Sequence, residues 1–175
     1  MTWEIVNPFP STPEEVKAVL AGVPNLYVLL DRADEMQPLM PWVEGHLLPS
    51  LPTDAKLFQF RSIVSLDWHL SVGNTFWQQM PVKDFVAALP TNATVLYVSL
   101  GGAFRSFPTA EQLPRFEAFI KTLAAKKVRQ VWWFPCDEEC IPKDSSMDWF
   151  GFVMDAVDLS PGSLETLKAL LALAP

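Results

Sequence analysis

The residues with the most chemical potential fall in four places. Cys136-Asp137-Glu138-Glu139-Cys140 sets two thiols around three carboxylates. Thiolates are soft metal ligands, but a zinc site needs about four donors, and the chain has no second cysteine pair. A redox pair would more usually be CxxC at a helix start. The spacing therefore predicts an acidic loop after a strand, with no metal and no cofactor. Ser99-Leu100-Gly101-Gly102 follows another strand, and α/β sheets bind ligands at the carboxyl ends of their strands. Neither GxGxxG nor GxxxxGK[ST] is present, so no phosphate cradle is expected.

His46 and His69 are the only histidines. A base needs a partner that orients it, and Asp67-Trp68-His69 places a carboxylate close in sequence. Neighbours along a strand face opposite sides, however, and no GxSxG or Cys-His signature accompanies either residue. Both are read as hydrogen-bonded structural histidines, and no catalytic residue is assigned. Asp31, Arg32 and Asp34 close the first apolar run. Acids there can hold a metal or a substrate; they can also cap the segment that follows, which is the reading adopted.

The elements that must position these groups follow from pattern. Thr12-Pro13-Glu14-Glu15 is a helix start, with Thr12 as cap, Pro13 in the first turn and Glu15 completing a capping box. Val16, Val19 and Leu20 form its apolar stripe, and Gly22 supplies a left-handed stop. Continuous apolar runs predict buried strands over Leu26–Leu30, Val95–Leu100 and Val128–Phe134, and Leu57 to Leu66, which alternates loosely, is read as one strand or a hairpin arm. Glu35 to Leu48 has helical composition broken by Pro38 and Pro41. The segment from Trp68 to Gln79 is ambiguous apart from a turn at Gly73-Asn74. Pro81 opens a short helix carrying Val82, Phe85, Val86 and Leu89. A second capped helix follows Thr109 with Phe116, Phe119, Ile120 and Leu123 on one stripe, although Pro114 lies deep in its start. Ser145 or Ser146 caps a further helix through Val157, and Ser160-Pro161 opens the last one. Alternation of this kind predicts one α/β domain over residues 1–175, a mainly parallel sheet of about four or five strands covered by helices.

Composition narrows the partners. Of 175 residues, 50% are hydrophobic and 19% charged, the balance of a filled globular core rather than a disordered chain. Formal net charge is −7 and no dense basic run occurs, which argues against nucleic acid and anionic membranes. No apolar stretch reaches the ~18 residues of a bilayer span, and no signal peptide is visible, so a cytoplasmic location is expected. Twelve Phe and seven Trp are many for this length, and aromatics at a surface tend to mark contacts. Trp132 and Trp133 stand side by side on a strand, so one ring must point to each face. A sheet with one open face would expose one of them to a protein partner; helices on both faces would bury both. The candidate partner-binding residues are accordingly Trp132, Trp133, Asp137, Glu138 and Glu139.

Two stretches are similar to the small adaptor-chaperone family that loads effectors onto the type VI secretion spike. Leu26-Tyr27-Val28-Leu29-Leu30-Asp31 resembles the family's opening L-Y-A-L-L-D segment. Ala103 to Leu113, with Arg105-Ser106 and the helix after it, resembles its L-L-R-S-P-x-S-L-x-x-L segment. Order and spacing are compatible over roughly residues 24 to 170. Where the family has R-F-Y-D-P-R, this chain has Val131-Trp132-Trp133-Phe134-Pro135-Cys136-Asp137, which keeps only the aromatics, and the family's basic H-L-R-R is missing. The resemblance implies a non-enzymatic adaptor or chaperone for a bacterial effector or toxin. Two alternatives stay open: an immunity protein whose acidic face blocks a basic toxin, and an enzyme of unfamiliar type using the strand ends around Asp31, Gly101 and Cys136.

Overall fold

The computed structural model describes residues 12–32, 34–60, 69–73, 77–99, 112–134, 158–161 and 164–172. Helix α1 (Pro13–Leu20) begins as its sequence predicts, with the Thr12 hydroxyl accepting from the Glu15 N–H at 3.3 Å and Val16 and Leu20 buried. Its exit differs from expectation. The left-handed residue before the first strand is Asn25 (φ 48°) rather than Gly22. Asparagine is one of the few side-chain-bearing residues that tolerates this conformation.

Strand β1 (Leu26–Asp31) follows, then a helical segment broken at its prolines. It runs as a 3-10 stretch (Asp34–Leu39), one α-turn α2 (Met40–Trp42), a π-turn (Val43–Leu47) and a final 3-10 turn (Leu48–Ser50). Pro38, Pro41 and Pro49 each remove a donor, so the chain changes winding rather than forming one ladder. Next come β2 (Lys56–Phe60), β3 (His69–Val72) and β4 (Gln79–Pro81), with Gly73 at φ +66° turning the chain after β3. Helix α3 (Val82–Ala88), β5 (Thr94–Val98), α4 (Gln112–Ala125), β6 (Arg129–Phe134), β7 (Asp158–Pro161) and α5 (Leu164–Ala172) complete the order. Pro114 is accommodated in the first turn of α4, where its missing N–H costs nothing.

The fold is α/β with one seven-stranded, mostly parallel sheet in the order β4-β3-β2-β1-β5-β6-β7. Strands β2, β1, β5, β6 and β7 are parallel, and β3 and β4 add an antiparallel edge. The strands missing from the expected four or five are short ones, whose three or four residues carry no continuous apolar run. Ser160-Pro161 is a correction of kind: it lies in β7, paired with Trp133 and Phe134, and the last helix begins at Leu164. The Ser-Pro pair imitates a helix start, but a neighbouring strand edge satisfies its backbone instead. The expected helix from Ser145 or Ser146 to Val157 lies outside the described residues, as do the second half of Leu57–Leu66 and the Thr109 cap.

Helices cover both faces. On one, α1 packs against the turns of 43–50 and against α5. On the other, Phe85 of α3 meets Tyr27, Phe58 and Phe119, and Lys126 after α4 donates to the Val86 carbonyl at 2.6 Å. Strand β5 is buried along its whole length, as a central parallel strand should be.

Candidate functional site

The parallel strands leave β1 in opposite directions, toward β2 on one side and β5 on the other. In a doubly wound sheet this reversal opens a crevice at the carboxyl ends of the two strands. The residues there are Asp31, closing β1, and Ser99, just past β5. Both are wholly buried, and the Ser99 hydroxyl donates to Asp31 Oδ2 at 2.6 Å. The register that pairs Leu30 with Val98 brings them together across 68 positions of sequence. Trp132 Nε1 donates to the Ser99 carbonyl, and the Ser99 N–H donates to the Trp133 carbonyl, both at 3.3 Å.

Next to Asp31, Arg32 is held by β2 and the helical segment. Its backbone N–H donates to the Phe60 carbonyl at 2.8 Å, and its Nε donates to Gln59 Oε1. Its guanidinium lies 4.0 Å from Met40 Sδ and 3.6 Å from Glu44 Oε1. Glu44 is largely exposed, so the ion pair is worth little. The buried Gln59 side chain also donates to the Gly73 carbonyl at 2.5 Å, which fixes the chain where β3 turns. Together these groups form a braced polar seam. Among the described residues, no three His, Cys, Asp or Glu side chains converge as metal ligands.

The two tryptophans are a correction. Trp132 and Trp133 are 1% and 0% exposed, because helices cover both faces of the sheet. Trp132 stacks on Tyr97 at 5.1 Å, and Trp133 meets Trp42 edge-on at 5.5 Å. Neither ring offers surface to a partner; both are core. Asp137, Glu138 and Glu139 lie outside the described residues, with Cys136, Cys140 and Gly101-Gly102. His46 is half-buried and stacks on Trp42 at 6.1 Å, while its buried Nδ1 makes no hydrogen bond. Ring packing against Trp42 holds it, and the expected hydrogen bond is missing at Nδ1. The His69 backbone lies in β3.

The exposed aromatic is elsewhere. Trp77, just before β4, is 81% exposed, the one large apolar side chain so open among the described residues. It stands beside β4, the outermost strand on that side of the sheet among the described residues. The ladder shows which backbone groups face outward. Val72 N–H donates to the Gln78 carbonyl at 2.8 Å, which makes Val72 and Gln78 a hydrogen-bonded pair. Alternation along an antiparallel ladder then turns the N–H and C=O of Gln79 away from β3, toward the edge. Pro81 occupies the next outward position, where its lack of an N–H leaves the ladder intact and ends the available edge. Sequence reading passed over Trp77 because Gln78 and Gln79 beside it break any apolar periodicity. The signal present was a large aromatic close after a Gly-Asn turn.

No protein-family model, no curated protein and no solved structure matches the chain.

Proposed function

We infer that this chain is a protein-binding adaptor or chaperone for a bacterial effector or toxin, and that its β3–β4 edge is the contact. The observation that carries the reading is Trp77, 81% exposed beside β4, which pairs with no further strand among the described residues. Exposed edges are ordinarily blunted or covered, because they template pairing with another chain. Here Pro81 shortens the edge, and the exposed indole of Trp77 beside it supplies apolar area that water does not favour. A partner segment lying extended along β4 would take up the Gln79 N–H and carbonyl and cover the indole. Such an anchor at the centre of an interface contributes about 2 kcal/mol or more, roughly thirtyfold in affinity. The net charge of −7 favours a basic partner, and the resemblance to effector-loading adaptors points to the same class of function.

The test is to recover the protein that co-purifies stoichiometrically with the tagged chain from its native host, and to titrate the purified pair. Trp77→Ala should weaken the pair about thirtyfold with an unchanged melting temperature. An undiminished affinity removes the β3–β4 edge from the interface. A partner that proves to be a basic toxin, inactive while bound, would select the immunity reading over the adaptor reading.

The second reading, an enzyme working at the strand ends, is favoured by the Asp31–Ser99 contact at the carboxyl ends of β1 and β5. Both side chains are wholly buried, so a substrate would have to displace the packing around them.

A further inference from the structure

Charged side chains, lysine above all, are the commonest device that keeps an edge strand from pairing with its own kind. From Leu70 to Val82, through β3 and β4, the chain carries no charged residue, although 19% of the whole sequence is charged. The next two residues, Lys83 and Asp84, are exposed and opposite in sign. Two copies at net charge −7 repel in general, and like charges set directly opposite each other weaken a ladder. Along this hairpin they can meet with no such opposition.

The ladder of β4 is also complementary to itself. Gln79 stands opposite Ser71 between hydrogen-bonded pairs, so its N–H and carbonyl point away from β3. Among the described residues, neither outward group makes a hydrogen bond. An antiparallel two-fold through Gln79 lets the two copies of this residue exchange both bonds as one pair. The same register sets Trp77 opposite Pro81 of the second copy, on the same face of the ladder. The exposed indole then covers the proline ring, a cross-strand contact made twice by symmetry. An edge this short stays below the roughly 1,200 Å² of a stable interface, so the pairing is weak and a tighter partner displaces it.

We propose that β4 pairs with β4 of a second copy of this chain, a weak two-fold dimer that occupies the docking edge until the partner arrives. The dimer stands on the edge alone; its displacement by the partner rests on the function proposed above. Sedimentation velocity of the full chain from about 10 μM to about 1 mM, the span of weak association, should show the mass rise from one chain toward two. Exchange at the Gln79 amide, free in the dilute chain, should slow over the same range. In a mixture of isotope-labelled and unlabelled chains, intermolecular contacts should join the Trp77 indole to the Pro81 ring. Gln79→Pro removes the outward N–H and keeps the pairing to β3, as proline on an edge strand does. It should stay monomeric throughout with an unchanged melting temperature. Trp77→Ala should weaken the dimer about thirtyfold. A native chain that stays monomeric, a dimer undiminished in both variants, or contacts mapping to another surface would each overturn the proposal. A monomeric chain whose partner binding still falls in Trp77→Ala ends the dimer and leaves the docking reading standing. A dimer as expected, with the partner bound elsewhere, keeps the pairing and ends the docking reading.

Discussion

Ser99 Oγ and Asp31 Oδ2 lie 2.6 Å apart, and through that bond the ends of β1 and β5 are joined where the sheet reverses direction. A hydroxyl donating to a buried carboxylate is one of the stronger contacts a small side chain makes. Ser99→Ala should cost about 2 kcal/mol, read as a lower urea midpoint with an unchanged slope. Partner affinity should stay as it is, since the bond lies away from the β3–β4 edge.

Trp132 and Trp133 should behave as core residues. Replacing either by Ala removes a large buried side chain and should cost about 3–5 kcal/mol, measured by denaturant unfolding. Substituting Phe should cost less at each, since much of the packing against Tyr97 or Trp42 is retained. A stable Trp133→Ala protein with reduced partner affinity would reverse this assignment.

Tyr97 gives the fold a sensitivity to alkali. Its hydroxyl donates to Gln130 Oε1 at 2.6 Å, and burial pushes the phenol up from its ordinary value. The neutral form is the one that packs. An unfolded tyrosine ionises near pH 10, as in model peptides, and the folded one only at higher pH. Tyr97 therefore contributes stability that is fully present below about pH 10 and is lost as the pH rises toward the folded value. Tyr97→Phe should be about 1–2 kcal/mol less stable at pH 8, because Gln130 loses a buried donor. It should then fall less steeply than the native chain between pH 10 and 11. Parallel slopes in urea titrations at those pH values would contradict this.

How much of this was legible follows from burial. Strands β1, β5 and β6 carry continuous apolar runs because both faces are covered, so their place in one sheet could be read directly. Thr12 and Pro13 announced α1 just as plainly. β4 and β7 could not be read, because three or four residues ending in proline carry no periodicity, and only the neighbouring strand makes them strands. The polar seam was half-legible. Asp31 and Ser99 each stood out at a strand end, but their contact depends on the β1–β5 register. Trp132 and Trp133 pointed the wrong way for a physical reason: alternation says the rings diverge, not whether each face is covered. Trp77 drew no attention because exposure is a property of the packed chain.

The central claim, that a partner strand adds along β4 over Trp77, is tested most directly by amide hydrogen exchange at Gln79. Its N–H faces the open edge and exchanges freely in the isolated chain, on this account. With the reconstituted partner bound, exchange at Gln79 should slow about a hundredfold, the protection of an ordinary ladder bond opened only by local unfolding. The protection should be lost in parallel with affinity in Trp77→Ala. Unchanged exchange at Gln79 in a saturated complex, with protection mapping to another face, would contradict the account.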